Sequence, residues 1–362
     1  MTSRQFPCIT CGADLKFEPG SERLKCPYCG TENQIEKLED DIIELDFDEY
    51  VVQVERQDNI HEVMLVKCEG CAAEITFDPN IAADECPYCG TSLVRTTETQ
   101  HLIKPQALLP FKVTEKKANL VFQSWLKNLW FAPNKLKQYA RMEYSLQGIY
   151  MPYWTYDTNT ITQYTGRRGE YYYVTERYTR HAPGKQEVRT RRVRKTRWHA
   201  TNGTVRNTFD DILVVASRSL PMSYIRALEP WDLANLVPYK DDYLSGFRTE
   251  SYTINLKEGF EISKGIMADT IVYTIKTDIG GDEQIVRSKH TDYYDITFKH
   301  VLLPIWSSGY RFNNHTYHFL VNARTGEVQG ERPWSWLKIA FTVILFIITI
   351  IIFLVLYSDQ LG

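Results

Sequence analysis

Eight cysteines are the residues of this 362-residue sequence whose type and spacing could carry chemistry. They form four CxxC pairs in two sets: Cys8, Cys11, Cys26 and Cys29, then Cys68, Cys71, Cys86 and Cys89. A CxxC turn places two thiolates on one side of a metal ion, and a second turn beside it completes a tetrahedron. Four soft thiolates with no open position suit a structural Zn²⁺ ion. The sequence therefore predicts two structural zinc ions, one in each set.

The two cysteine sets are related by duplication. Fourteen residues separate the CxxC pairs in each set, and the hexapeptide CPYCGT recurs at 26–31 and 86–91. A single CxxC would leave a redox pair open, but two matched sets of four favour metal. We expect one zinc ribbon at 1–35 and a second at 67–97. Glycine, which tolerates a left-handed backbone, follows three of the four turns, at Gly12, Gly30 and Gly90.

An uncharged apolar segment lies near the other end of the sequence. Residues 339–357 hold nineteen residues without a charge, which as a helix span about 28 Å and match a bilayer core. Aromatic residues that favour the membrane interface flank it: Trp334, Trp336 and Tyr357. We expect one transmembrane helix over 337–357, followed by a short tail over 358–362.

The charges beside this segment predict its orientation. Arg332 and Lys338 precede it, whereas the tail carries one acid and no base. Positive charge favours the cytoplasmic side, so we expect a single-pass protein of the inner or plasma membrane with its N-terminal bulk in the cytoplasm. The cysteines agree, because residues 1–7 contain no apolar signal segment and paired cysteines then indicate a reducing compartment.

Residues 100–333 predict a β-rich α+β region. Aromatic residues make up 13% of the chain and include 23 tyrosines, which favour strands. One helix is predicted to begin after Thr114 as N-cap and to stop before Pro133. A second begins after Asn255 and runs to about Lys276. The fold class is α+β, with two zinc ribbons before this region and a transmembrane helix after it.

The middle region also carries signs of an internal duplication. An apolar-proline-aromatic triplet precedes each predicted helix, and a proline-containing strand signature follows it. The triplets are 109–111 and 237–239, and the strand signatures are 148–154 and 301–306. We interpret this as a diverged repeat of strand, helix and β-hairpins, with copies at 108–215 and 236–330.

An acidic linker is predicted at 36–66, between the ribbons. Eight acids lie between Glu36 and Glu49, with apolar residues interleaved among them. We expect a solvated linker with a short helix. The alternative is a docking segment for a basic partner.

A basic segment lies in the middle region. Its cations are Lys185, Arg189, Arg191, Arg192, Arg194, Lys195 and Arg197, against one acid, Glu187. As a strand, the segment would carry positive charge on both faces. Three interpretations stay open: an edge strand guarded by charge, contact with anionic lipid, and nucleic-acid binding.

No catalytic constellation is visible in the sequence. It contains no G-x-x-x-x-G-K-[ST] phosphate-binding loop, no G-x-S-x-G and no H-E-x-x-H. The net charge of −3 also argues against a surface built wholly to bind nucleic acid. We therefore expect a protein that is not an enzyme and binds no small-molecule substrate.

Five segments resemble a known bacterial family: 102–111 (LIKPQALLPF), 129–134 (LWFAPN), 209–214 (FDDILV), 228–232 (LEPWD) and 322–331 (NARTGEVQGE). The family comprises membrane-anchored zinc-ribbon proteins, often labelled TFIIB-type zinc ribbon or primosomal protein N-prime (replication factor Y), superfamily II helicase. The resemblance covers nearly the whole chain, although the loop that a helicase needs is absent. Similar proteins are encoded beside flotillin-like (SPFH) and phage-shock-type proteins, which implies recruitment of envelope-stress partners to the membrane.

Together these features predict a zinc-binding, single-pass membrane adaptor that presents a cytoplasmic platform to protein partners. Flotillin-like (SPFH) or phage-shock-type proteins are the partners that the resemblance implies. The alternative is a membrane-tethered, replication-related protein that binds nucleic acid through its ribbons and its basic segment.

Overall fold

The computed structural model describes residues 6–36, 41–55, 61–69, 73–76, 83–86, 88, 91–94, 98–133, 146–182, 185–312, 315–332 and 334–359. The strands are β1 (Lys16–Phe17), β2 (Arg23–Lys25), β3 (Glu32–Gln34), β4 (Leu45–Asp46), β5 (His61–Lys67), β6 (Glu74–Thr76), β7 (Ala83–Glu85), β8 (Ser92–Val94), β9 (Glu98–Leu102), β10 (Ala107–Leu108), β11 (Gln147–Ala182), β12 (Lys185–Val215), β13 (Val237–Pro238), β14 (Arg248–Thr249), β15 (Glu283–Phe312), β16 (His315–Asn322) and β17 (Val328–Gly330). The helices are α1 (Phe47–Glu55), α2 (Glu115–Asn128), α3 (Met222–Arg226), α4 (Leu256–Ile279) and α5 (Trp336–Asp359), with short 3₁₀ turns at Leu233–Asn235 and Asp241–Leu244.

A central mixed sheet organises the chain. Its main path is β12-β11-β15-β10-β13, and β16 and β17 extend it beside β15. The strands β11, β12 and β15 are 36, 31 and 30 residues long and pair antiparallel. Three smaller sheets lie in the N-terminal part: β1-β2-β3, β6-β5-β9 and β7-β8. Helices and sheets thus combine, as the predicted class requires.

Both predicted helix starts are confirmed. The Thr114 side chain accepts a hydrogen bond from the Lys117 N–H (3.3 Å), and Asn255 Oδ1 accepts one from the Glu258 N–H (2.9 Å). Such caps satisfy N–H groups that have no partner within the helix. The helix α4 ends at Ile279 and is followed by Gly280 as its C-cap. The φ of Gly280 is +64°, a value that residues with a side chain rarely adopt.

The helix α4 packs along the sheet and forms one of the three hydrophobic cores of the described chain. The Trp154 indole donates to the Ile254 carbonyl (2.9 Å) and the Tyr156 hydroxyl to the Leu256 carbonyl (2.7 Å), which seats the start of the helix on β11. A side chain at Gly259 would collide with the Tyr156 hydroxyl, so glycine permits this close approach. The core face of the helix is buried throughout its length, at Met267, Ile271, Ile275 and Ile279.

The two halves of the middle region exchange their short strands. Ala107 of β10 pairs parallel with Val301 of β15, and Arg248 of β14 pairs parallel with Ile149 of β11. Each short strand precedes the helix of one half yet pairs with the long strand of the other half. This exchange is compatible with a duplicated unit, and the duplication itself stays a prediction.

The described part of the acidic segment differs from a solvated linker. The strand β4 pairs with β15 at Thr297 and Phe298. Phe47, the first residue of α1, is 8% exposed. Its ring centroid lies 5.0 Å from that of Phe260 and 6.5 Å from that of Phe298. The apolar residues Ile42, Leu45 and Phe47 thus pack onto the core, while Ile43 and the acids Asp46, Asp48 and Glu49 stay exposed.

Candidate metal centres and basic arm

The first cysteine set forms a compact cluster. The sulfur atoms of Cys8, Cys11, Cys26 and Cys29 all lie within 4.8 Å of one another. The Cys8–Cys29 and Cys11–Cys26 sulfur pairs are each 3.5 Å apart. These distances are far longer than a disulfide of about 2.05 Å and close to the edge of about 3.8 Å of a tetrahedron with metal–sulfur bonds of 2.3 Å. The four cysteines are therefore close enough to hold a metal ion.

Backbone hydrogen bonds shape each CxxC turn around its sulfurs. Cys8 donates its N–H to the Ala13 carbonyl (2.7 Å), and Gly12 donates to the Cys8 carbonyl (2.8 Å). The turn at Cys26 repeats both bonds (2.8 and 3.1 Å). Gly12 and Gly30 have φ of +74° and +75°, so the left-handed backbone expected after these turns is present.

The thiols of the cluster influence one another's protonation. Burial acts to raise the pKa of Cys8, but hydrogen bonds from backbone N–H groups overcome this effect and bring it to about 6. For Cys11 the Ala13 backbone acts to lower the pKa, but the sulfurs of Cys26 and Cys29 outweigh it and raise the pKa to about 12. Crowded thiolates repel each other, and a divalent cation among them would remove that repulsion.

The second cysteine set shows the same backbone pattern in its described half. Cys68 and Cys86 are 1% and 2% exposed. Each donates its N–H to the carbonyl five residues later, at 2.9 and 2.8 Å, as Cys8 and Cys26 do in the first set. Cys71 and Cys89 lie outside the described residues. The second zinc site accordingly stays a prediction.

The segments that carry the two cysteine sets are called the first and second ribbon after the prediction, which stays a prediction. The second ribbon docks on the sheet through a buried carboxylate. Tyr88 is 1% exposed, and its hydroxyl donates to the Glu250 carboxylate at 2.5 Å. Ser217 donates to the same carboxylate, also at 2.5 Å. The Ser219 hydroxyl is a third donor to this carboxylate. Burial raises the pKa of Glu250, although the hydrogen bonds from these three hydroxyl groups act to lower it. The equivalent residue of the first ribbon, Tyr28, is 83% exposed.

The first ribbon docks on the sheet through a different set of contacts. The Phe17 ring lies edge-on to the Tyr243 ring, with centroids 5.2 Å apart. The Phe17 N–H also donates to the Ser245 carbonyl (3.0 Å), and the Ser245 hydroxyl donates to the Leu15 carbonyl. The two ribbons therefore share a local sequence but not a mode of docking.

The basic segment lies in a two-stranded extension of the sheet, which we call the basic arm (residues 170–182 and 185–197). The pairing of β11 with β15 ends at Gly169 and Glu283, whereas the pairing of β11 with β12 continues to Ala182 and Lys185. Thirteen paired residues at about 3.4 Å each give the arm a length of about 44 Å.

Both sides of the arm combine arginine with tyrosine, and one side, which we call its aromatic face, holds the two closest of these contacts and carries no acid on the two arm strands. The Arg194 guanidinium lies 4.1 Å from the Tyr171 ring centroid, and that of Arg192 lies 4.3 Å from the Tyr173 ring centroid. Arg177 is on the same face and is exposed. At the base of the face, the Tyr171 hydroxyl donates to Glu283 (2.8 Å). Stacking orients the guanidinium groups and leaves their edges open to an anion.

The other side of the arm, its paired face, has its charge partly neutralised. Glu176 lies 3.2 Å from Arg191 and 3.1 Å from Lys195. Two more predicted cations, Arg189 and Arg197, are exposed on this face. The strand register thus produces the two positive faces that alternation predicts, but only the aromatic face lacks acids on its own strands.

A further cluster of charged residues, centred on Lys299, was not predicted from the sequence. The Lys299 side chain is 8% exposed, and its ammonium group lies 2.8 Å from Glu44, 2.8 Å from Asp211 and 3.7 Å from Asp157. Burial raises the pKa of Asp157 to about 6, despite the nearby lysine. Carboxylate oxygens of Glu44, Asp157 and Asp210 come within 4.8 Å of one another. Because Lys299 already supplies a cation there, we interpret the cluster as the attachment of the acidic segment to the sheet.

The helix α5 is long and apolar enough to span a membrane. Its apolar window, Trp336–Leu354, has no buried residue. Apart from the first turn, which contacts the loop after α2, this apolar helix is exposed in the described chain, as expected of a helix surrounded by lipid. The helix can therefore span a membrane by length and composition, and the identity of the membrane and the orientation of the chain stay predictions.

Comparison with known proteins finds a similar chain of about the same length. The uncharacterized protein YdjG of Bacillus subtilis (strain 168) is 25% identical over 343 residues, which cover 92% of this chain and 92% of that protein. No family model matches the sequence. No solved structure matches it either.

Proposed function

We propose that this chain is a non-enzymatic, zinc-binding, single-pass membrane adaptor that presents a cytoplasmic platform to protein partners. The observation that carries the proposal is the central sheet. Both cysteine-bearing segments contact residues packed on it, through Phe17 and Tyr88, and its strand β17 is followed along the chain by α5. Such a body would hold binding surfaces at a fixed place beside a bilayer. Both metal centres, two zinc ribbons in this proposal, are structural because four thiolates leave no position for a substrate.

The side of the membrane and the class of partner follow from the sequence. The positive charges of Arg332 and Lys338 put the sheet on the cytoplasmic side. The family resemblance implies envelope stress or membrane organisation in a bacterium, with flotillin-like (SPFH) or phage-shock-type proteins as partners. We propose these as the first proteins to test.

Recruitment of a cytosolic protein to membranes tests the adaptor function. The full chain should bring a partner into the membrane fraction, measured by quantitative crosslinking and mass spectrometry of isolated membranes. A chain cut before Trp334 should leave that partner in the cytosol. An unrelated protein fused to α5 is the control for the anchor alone. If the fused control gathers the same proteins, or if the purified chain hydrolyses ATP, the adaptor proposal is wrong.

The basic arm favours a second candidate function, binding of nucleic acid. A two-stranded ribbon fits the major groove of a duplex, where phosphates lie on both sides of it. Arginine stacked on tyrosine is also suited to contact phosphates or bases.

The position of the arm also favours a partner away from the lipid. The end of α2 leads into the loop that contacts α5. Within α2, the Phe122 ring stacks on the Phe319 ring of β16, with centroids 3.4 Å apart. Phe319 pairs with Ser308 of β15, and that strand then leads back from residue 308 to Glu283 at the base of the arm. These 25 residues correspond to about 80 Å of strand. The arm and the membrane helix therefore lie at opposite ends of the sheet.

Matched arginine variants test the nucleic-acid candidate. Changing Arg177, Arg192 and Arg194 to serine should weaken binding of the full chain, in nanodiscs of neutral lipid, to a short DNA duplex. The slope of log affinity against log salt should fall by about 3, because three phosphate contacts are lost. Binding is measured by fluorescence anisotropy across a salt series.

The control carries the same change of charge on the other face. Changing Arg189, Arg191 and Arg197 to serine should leave most of the affinity and slope intact. Equal losses in both variants would mean that charge alone matters and would refute the role of the aromatic face. Absence of binding by the unmodified chain would exclude the candidate function.

A further inference from the structure

The first turn of α5 is held by the loop that follows α2, two segments about 200 positions apart. Ser335 donates its N–H to the Phe131 carbonyl (2.8 Å). The Lys338 ammonium donates to the Ala132 carbonyl (2.7 Å) and to the Trp130 carbonyl (3.4 Å). The membrane helix is therefore attached to the cytoplasmic sheet at its start and does not leave it through a free linker.

This loop carries a large apolar side chain that the described chain does not cover. Trp130 is 74% exposed. Trp334 and Trp336, just before and at the start of α5, are 51% and 80% exposed, and the Arg332 guanidinium lies 4.6 Å from the Trp334 ring centroid. The Phe131 and Trp334 rings are 6.4 Å apart. Exposed tryptophans together with basic groups are the composition that favours the head-group region of a bilayer.

The contacts with Lys338 fix the depth of the loop. Lys338 is the last charged residue before the uncharged segment 339–357, so it lies where the hydrocarbon core begins. A carbonyl that accepts a hydrogen bond from its ammonium group must lie at the level of the head groups. Trp130 and Ala132 provide such carbonyls. The Trp130 side chain is thus brought to the membrane interface by the fold and not by its position in the sequence.

We propose that Trp130 is a second membrane contact, whose indole enters the head-group region of the leaflet that α5 crosses. The inference rests on the proposed spanning of the membrane by α5 and adds a site from a distant part of the chain. Two contacts, α5 and Trp130, restrict the tilt of the sheet, whereas a single helix would allow it to rotate. The basic arm is then held at the end of the sheet that faces away from the lipid.

Photo-crosslinking to lipid tests this contact in the full chain. The photoreactive residue p-benzoylphenylalanine replaces Trp130 in one variant, Phe346 within α5 in a second, and Tyr273 on α4 in a third. Phe346 and Tyr273 are 66% and 72% exposed, which matches the exposure of Trp130. Each variant is purified with its metal, reconstituted in liposomes of phosphatidylcholine and phosphatidylglycerol, irradiated, and analysed for lipid adducts by mass spectrometry.

The expected result is a yield of lipid adducts at positions 130 and 346 that is several-fold above that at position 273. Adducts at 346 but not at 130 would overturn the second contact and leave the spanning helix in place. Absence of adducts at both 130 and 346 would refute the spanning helix itself. Equal adducts at 130 and 273 would show that the whole sheet touches lipid without orientation, which also overturns the proposal. The zinc content of each variant, measured beforehand, reports whether it has folded.

Discussion

Changing Cys26 to serine is expected to remove the metal from the first ribbon and to unfold residues 6–36. Cys26 is 2% exposed, and its sulfur lies 3.5 Å from that of Cys11, so no other side chain of the cluster can replace it. The apolar core of so small a module is insufficient alone, and structural zinc contributes about 10–16 kcal/mol to the folding of comparable zinc-finger peptides. If each cysteine set holds one zinc ion, as proposed, zinc measured by mass spectrometry should fall from two ions per chain to one.

Hydrogen exchange of the same variant should show loss of protection in β1, β2 and β3, with the central sheet unaffected. The control is Tyr28→Ser, which alters the neighbour of Cys29 but removes no thiolate. Because Tyr28 is 83% exposed, this variant should keep both metal ions and normal exchange. A Cys26→Ser protein with full zinc content would contradict the tetrahedral thiolate site.

The second large effect is expected at the docking of the second ribbon. Changing Tyr88 to alanine removes a ring that is 1% exposed and leaves the buried carboxylate of Glu250 without one of its donors. Loss of a buried aromatic ring costs about 3–5 kcal/mol, and the unpaired carboxylate adds to that cost. The ribbon should detach from the sheet, which limited proteolysis between β8 and β9 would detect as faster cleavage.

The duplicated sequence supplies the matched control for this variant. Tyr28 occupies the equivalent place in the first ribbon, and Tyr28→Ala should change stability by no more than about 0.5 kcal/mol, because the side chain lies in solvent. A conservative variant, Tyr88→Phe, keeps the ring but removes the hydroxyl, and it should lose about 1–3 kcal/mol. Equal effects of the alanine changes at both tyrosines would show that the contact with Glu250 is not what holds the second ribbon.

The comparison of Tyr28 with Tyr88 also shows what the sequence could not predict. Both lie in the same hexapeptide, CPYCGT, so any method that reads only local sequence must treat them alike. Their burial differs because Glu250, more than 160 positions further on, lies beside one and not the other. The clustering of Cys8, Cys11, Cys26 and Cys29 was predictable because a CxxC turn is a local structure. The docking of each ribbon was not, because it depends on distant residues.

The same division applies to the rest of the fold. The N-caps Thr114 and Asn255 were predictable, since a cap needs only its own turn of helix. The 36-residue length of β11 was not, because a strand ends where its partner ends and pairing is not encoded locally. Phe47 gave no sign of burial among its acidic neighbours, since its partners are contributed by α4 and β15.

The exchange of short strands has a consequence for synthesis of the protein. Ala107 pairs with Val301, so the strand that contains Ala107 must wait for 194 further residues to leave the ribosome. At about 5–20 residues per second, this delay is about 10 to 40 s. The four cysteines of the first ribbon lie within 22 positions of one another, so they can come together long before the sheet closes. The apolar strands of the first half are exposed throughout that interval, and a chaperone that covers them should improve the yield of folded protein.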